Sequence, residues 1–168
     1  MNSKAAICGP IVGSIVLPNA GGFIGYFLVR KNVKPMYEKL NYPEWSPPQW
    51  LSSAVWLGLY SGIGYGSYLV YKTGGGLEGP AKLPLTMYAA NLVANWAYCP
   101  IFFGCGNSKM ALIDIGLIEI TAIGTGFLFH QVNKTAGYLF IPYILWMGYV
   151  AAYNYKIFKN NKPEVKVN

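Results

Sequence analysis

The residues best suited to chemistry stand at helical spacing in stretches that carry almost no charge. Trp56, Tyr60, Ser67 and Tyr71 recur at intervals of 4, 7 and 4, which puts them on one face of a helix. Asn91, Asn95, Tyr98 and Phe102 form a second stripe, and Trp146, Val150, Tyr153 and Lys156, with Tyr155 nearby, form a third. An indole N–H or a carboxamide facing hydrocarbon has no partner, so these groups must point inward or toward a ligand. Two uses fit: hydrogen bonding and packing between helices, or a pocket with large aromatic walls and few polar groups. Such a pocket suits a flat, mostly apolar ligand such as a sterol or a porphyrin.

The ionisable residues offer less. Asp114 and Glu119 are five apart, about 140° around a helix, and so are not a paired acid and base. Asp114 is expected to act as a cap or to hydrogen-bond at an interface. Glu119, near mid-stretch, needs a proton or a partner across the bundle. His130 reads as a polar end residue. Cys8, Cys99 and Cys105 lack C-x-x-C or zinc spacing, and one His cannot build a metal cluster. Nucleophile-elbow, Walker and H-E-x-x-H patterns are missing, so no catalytic residue, metal or cofactor is expected.

What must position the stripes follows from the charges. Of 168 residues only 11% are charged and 54% are hydrophobic, whereas a soluble domain spends about a quarter on charge. The aromatic content of 16% excludes disorder. Charge-free runs cover Ala5 to Val29, Trp45 to Tyr71, Leu83 to Ser108 and Thr135 to Tyr155, and Met110 to Asn133 is broken only by Asp114 and Glu119. Each run reaches the roughly 20 residues that cross a bilayer as a helix. The fold class is therefore an all-α membrane protein, a bundle of five transmembrane helices in a single domain. The helices are expected at about 5–29, 47–71, 83–104, 110–131 and 135–157, with a loop at 30–46 and a tail at 158–168.

Basic residues orient the bundle. Arg30, Lys31, Lys34, Lys39, Lys109, Lys156, Lys159, Lys162 and Lys166 fall on one side, and Lys4, Lys72, Lys82 and Lys134 on the other. The basic excess marks the cytosolic face, which places the first loop and the C-terminus there and the N-terminus opposite. The net charge of +7 is thus mainly a topology signal. No basic stripe interleaved with aromatics points to nucleic acid. The first run is too long for a signal-peptide core and lacks a cleavage site, so it is kept as a helix.

Trp45, Trp50, Tyr37 and Tyr42 fit interfacial belts, whereas Trp96 and Trp146 fall near mid-span. Gly9 and Gly13, Gly21 and Gly25, and Gly58, Gly62 and Gly66 have small-xxx-small spacing and are expected to pack helices within the chain, with a homodimer seam as the alternative. Pro18, Pro84, Pro100 and Pro142 lie within spans and should bend them, leaving room for a cavity. The connections are too short to hold a soluble catalytic domain, so a site must lie within the bundle or at its mouth.

Trp45-Ser-Pro-Pro-Gln-Trp50 resembles the W-x-P-P-x-W signature of the translocator protein family, also called peripheral benzodiazepine receptors or tryptophan-rich sensory proteins. Val55-Trp56, Leu59-Tyr60-Ser61, Gly64 to Val70 and Lys72 are similar to its second helix, and Asn95-Trp96-Ala97 with Pro100 to Gly104 to its third. Pro142-Tyr143, Trp146 and Asn154-Tyr155 resemble its fifth. The likeness extends over nearly the whole chain.

That resemblance implies a five-helix bundle, usually dimeric, in the outer mitochondrial membrane of animals with a cytosolic C-terminus. It implies a receptor or carrier that binds cholesterol, porphyrins and benzodiazepine-type compounds, linked to lipid, steroid or tetrapyrrole handling. The implied pocket comprises Tyr37, Trp56, Asn95, Tyr98, Trp146 and Val150, and the implied sterol motif survives as Val150, Tyr155 and Lys159. Trp56 and Trp146 match tryptophans tied to porphyrin breakdown in bacterial relatives, which is the one enzymatic alternative. Another is a scaffold acting on mitochondrial outer-membrane proteins in stress and apoptosis. Tyr98 stands where many members have Trp, Met110 where mammalian members have a drug-contacting Trp, and Tyr153 where the sterol motif has Leu. Thr86 and Ala90 occupy a pair that is usually glycine.

Overall fold

The computed structural model describes residues 3–161, except the side chains of residues 3–7 and of Tyr37. Five α-helices run antiparallel in sequence: α1 Ser3–Lys39, α2 Gln49–Thr73, α3 Lys82–Cys99, α4 Ser108–Val132 and α5 Lys134–Asn160. A π-helical turn, Pro100–Gly104, prolongs α3. Among the described residues three helices are long and apolar enough to cross a membrane: Cys8–Met36 in α1, Ser108–Val132 and Lys134–Asn160.

The first helix outruns its expected end by ten residues. Val29 and Val33 are buried and Met36 and Leu40 pack with Phe102, Ala111 and Ile157, so an apolar stripe carries α1 onward past Arg30 and Lys31. The expected 30–46 loop is thereby shortened to a segment ending in the Trp45 motif. There Ser46 turns the chain back on the Pro43 carbonyl, and Pro48, with no N–H to satisfy, precedes the first turn of α2. At the far end of α2, Gly75 and Gly76 take φ of 75° and 99°, a conformation side chains disfavour, and the chain reverses into α3.

Pro100 explains the π turn. It cannot donate a backbone hydrogen bond, so the ladder of α3 widens there: Cys105 N–H donates to the Pro100 carbonyl at 3.0 Å, five residues back. Asn32 Nδ2 donates to the Phe103 carbonyl at 3.1 Å and ties the turn to α1. The short links either side of α4 are capped by asparagines. Asn107 Oδ1 accepts from Met110 N–H at 3.0 Å, and Asn133 Oδ1 accepts from Ala136 N–H at 3.1 Å. Asn107 thus does the capping expected of Asp114. Asp114 is buried instead, and its Oδ2 makes no hydrogen bond.

The helices close into a ring in the order α1, α2, α5, α4, α3. One half is solid. Tyr88, Phe129 and Phe140 pack ring on ring with centroids 4.9 to 6.3 Å apart, and Tyr143 meets Phe140 edge-on. The outer surface is apolar, with Val16, Phe27, Ile113, Ile120, Phe127, Ile141 and Leu145 facing outward. An oil-facing exterior of this kind suits a bilayer and not water.

Only some of the glycines pack as their spacing predicts. Gly21 lies against the Trp96 indole, Gly25 against Trp96 and Cys99, and Gly66 against Ala136. Around Gly9, Gly13, Gly58 and Gly62 a Cβ would meet open space. The buried residues of α2 are Tyr60, Ile63, Gly64, Gly66, Ser67 and Val70, and Gly64, outside the repeat, is the residue on which Ser14 and Ile15 of α1 rest. Period alone identified a glycine face but not the face the neighbouring helix uses.

Candidate functional site

The other half of the ring is hollow. A cavity of about 610 Å³, within the usual ~300–1,000 Å³ of ligand pockets, lies toward the end where α1 and α5 finish. Trp56, Asn95, Tyr98, Trp146 and Val150 all line it. Tyr37, placed with them by resemblance, lies outside the described side chains. Val150 faces the cavity while Tyr155 and Lys159, about 140° and 180° further round α5, are exposed on the outside, so the three sterol-motif residues share no single face.

The walls are aromatic because the stripes of α2 and α5 oppose each other. The Trp56 and Trp146 rings meet edge to face with centroids 6.5 Å apart, and Trp56 also packs on Tyr60 at 5.2 Å. Along α5 a stack runs from Trp146 to Tyr149 at 5.0 Å and on to Tyr153 at 6.3 Å. The opposite wall is the parallel pair Tyr98 and Phe102, 5.6 Å apart, and Tyr98 Oη donates to Asn154 Oδ1 at 2.7 Å. Trp96, the other mid-span indole, points away: its Nε1 donates to the Pro18 carbonyl at 3.4 Å. The Trp146 Nε1 is buried without a hydrogen-bond partner.

A polar network forms the floor. Asn91 Nδ2 donates to the Ile118 carbonyl and to Thr121 Oγ1, each at 2.9 Å. Asn95 Nδ2 donates to the Asn91 carbonyl at 3.0 Å and to Tyr143 Oη, Tyr143 Oη donates to Asn91 Oδ1 at 3.0 Å, and Tyr60 Oη donates to Asn95 Oδ1 at 3.3 Å. The two uses of Asn91 and Asn95 left open by their spacing are therefore divided between them. Asn91 is wholly buried and joins α3 to α4 and α5, while Asn95 also reaches the cavity.

The segment after α1 roofs the cavity. Tyr42 and Pro47 line it from above, and Trp45 packs edge-on against Tyr149 and Tyr153 at 5.5 and 5.8 Å while its carbonyl accepts from Tyr149 Oη at 3.1 Å. Of the W-x-P-P-x-W signature, Pro47 and Gln49 reach the cavity and Trp50 faces outward. Below the roof, Phe23 and Leu57, both more than half exposed, stand on the α1 and α2 walls, so the cavity also opens between these helices. Spacing missed the α1 side of the lining, such as Asn19 and Phe23, and on α5 it missed Tyr143, Tyr149 and Asn154. These α5 residues each lie three or four positions, one helical turn, from Trp146 or Val150, which is the signal that would have found them.

An all-helical bundle with an oil-facing surface, hollow on one side around an aromatic cavity with a polar floor, is the architecture of an integral membrane protein. The chain belongs to the TspO/MBR family, matching it over residues 14–159. It is 39% identical to the translocator protein of Bos taurus over 153 residues, 91% of this chain and 90% of that protein. It is 38% identical to the Homo sapiens translocator protein over 90% of each chain. A tryptophan-rich sensory protein of Cereibacter sphaeroides is 31% identical over 132 residues, 77% of this chain and 80% of that one.

Proposed function

We propose that the chain forms five membrane spans in the mitochondrial outer membrane, with the roof segment and the C-terminus in the cytosol, and binds cholesterol-like sterols and porphyrins in the cavity. Benzodiazepine-type compounds are a further ligand class. The binding serves lipid, steroid or tetrapyrrole handling. The observation that carries this reading is the cavity itself, whose Trp56, Tyr98, Phe102 and Trp146 walls offer stacking surface and whose Asn95 offers a polar anchor. The opening between α1 and α2 suits a ligand that arrives from the bilayer. Nine basic residues against four support the orientation. Thr86 and Ala90, both exposed one turn apart on α3, support a homodimer through that face.

The test is quenching of intrinsic Trp fluorescence by protoporphyrin in nanodiscs, compared between the parent protein and Trp146→Phe. Weaker binding by the variant is expected, and equal affinity would overturn the placement of the site. The Trp56 and Trp146 contact favours a second reading, light-dependent porphyrin breakdown. Under that reading porphyrin absorbance falls on illumination with the purified protein, and an unchanged spectrum removes it.

A further inference from the structure

The outer face of α1 carries a groove of its own, outside the bundle. Phe23, Ile24, Phe27 and Leu28, each more than 60% exposed, line a depression of about 290 Å³ on the oil-facing side of the helix. Val29 and Val33, which are buried in the bundle, lie on the opposite side of α1. Helical period decides what stands at the end of the groove. Phe23, Phe27, Arg30 and Lys34 fall within about 60° of one another, and Lys31 follows Ile24 and Leu28 on the flank. All three basic side chains are exposed. The groove thus passes from two phenyl rings straight to positive charge, at the level where the charge-free run Ala5 to Val29 ends.

Arg30 is the informative residue. An arginine at the end of a span can extend outward into water, whereas Arg30 lies back along α1 with its Cζ 4.0 Å from the centre of the Phe27 ring. The ring face holds the cation at the mouth of the groove without neutralising it. Its planar N–H fork matches the oxygens of a phosphate. Glu38, the next exposed residue on this face beyond Lys34, repels an anion placed further out. The position left for a phosphate is between Arg30 and Lys34.

We propose that the groove and its basic end form a binding site for one anionic phospholipid, with an acyl chain along Phe23 and Phe27 and the phosphate between Arg30 and Lys34. Charge complementarity selects this occupant. A zwitterionic lipid fills the apolar part equally well but brings its own cation up to Arg30, Lys31 and Lys34, and an uncharged lipid offers these residues no anion. A basic residue beside an anionic headgroup strengthens binding about fivefold. The inference needs only that α1 crosses the bilayer, whatever fills the cavity and whichever compartment its Arg30 end faces.

The experiment titrates the full-length protein in detergent with dioleoyl phosphatidylglycerol or dioleoyl phosphatidylcholine, which share their acyl chains and differ in headgroup charge, and counts bound lipid by native mass spectrometry. The first phosphatidylglycerol is expected to bind about tenfold more tightly than the first phosphatidylcholine. Arg30→Gln combined with Lys34→Gln is expected to bring the two lipids to equal affinity. Lys156→Gln combined with Lys159→Gln removes the same charge from the end of α5 and is expected to leave the preference in place. Phe27→Leu keeps the groove apolar but frees Arg30, and is expected to reduce the preference about two- to fivefold. All five side chains are exposed, so these variants test the surface and not the core. Equal binding of the two lipids by the parent protein, or the same loss of preference in both double variants, overturns the site. A preference that Phe27→Leu leaves intact overturns the part given to the ring.

Discussion

Asn41 and Asn161 hold each other reciprocally: the Asn41 N–H donates to Asn161 Oδ1 at 2.9 Å, and Asn161 Nδ2 donates back to the Asn41 carbonyl at 3.2 Å. Residues 120 positions apart thus join the start of the cavity roof to the end of α5, with Asn160 Nδ2 adding a weaker bond at 3.4 Å. The pair is exposed to solvent, where a hydrogen bond contributes about 0.5–1.5 kcal/mol. Removing it with Asn161→Ala is expected to raise the dissociation rate of protoporphyrin about two- to tenfold with little change in the fold. Stopped-flow release into excess detergent measures this, and an unchanged rate means that the roof does not hold the ligand.

Gly64 is the place where α1 and α2 touch backbone to backbone. A Cβ there would collide with the Ser14 carbonyl and stand 3.0 Å from Ile15 Cα. Gly64→Ala is therefore expected to destabilise the protein by roughly 1–3 kcal/mol, as overpacking does. Gly62→Ala, whose Cβ would meet open space, is expected to be neutral. Thermal unfolding of the two variants in the same detergent distinguishes them, and equal losses would contradict the helix contact described.

Asn91 carries the link among α3, α4 and α5. Asn91→Ala removes its bonds to the Ile118 carbonyl and Thr121 and leaves the buried Tyr143 hydroxyl proton without an acceptor, a loss of about 1–3 kcal/mol. Tyr143→Phe removes one acceptor and one donor together and is expected to cost less, nearer the ~0.6 kcal/mol average of interhelical bonds in membranes. Denaturation in mixed micelles with increasing SDS reads both, and the reverse order would contradict the network.

Orientation is open to a protease. Trypsin added to intact mitochondria is expected to remove a C-terminal epitope tag placed after residue 168 while sparing an N-terminal one. A protected C-terminal tag would contradict the cytosolic placement of the roof and tail.

Most of the helices were legible in the sequence because charge is excluded from a bilayer so strongly that its gaps mark helices. The ends were less legible. Arg30 and Lys31 look like a boundary, yet α1 continues because Val29, Val33, Met36 and Leu40 keep an apolar face against the bundle. Parts of the stripes on α2, α3 and α5 reach the cavity as their period suggested, though Ser67 and Tyr71 lie away from it, and the opposed directions of Trp96 and Trp146 were not readable. Both are mid-span indoles, and only the packing of Gly21 against Trp96 decides that this one belongs to α1. The hydrogen bonding of the floor was beyond reach as well, since it depends on which carbonyls of α3 and α4 lie beside two amides.

Tyr60 stands near the middle of α2, the twelfth of its 25 residues, so in the proposed five-span bundle the cavity floor would lie close to the bilayer midplane. A sterol in a leaflet keeps its hydroxyl among the headgroups and its tail at the centre. Under the proposed orientation, a sterol whose hydroxyl reached that floor would lie inverted, with the hydroxyl at the centre and the tail beneath the roof. A molecule held that way would already have made the head-over-tail turn needed to cross from one leaflet to the other.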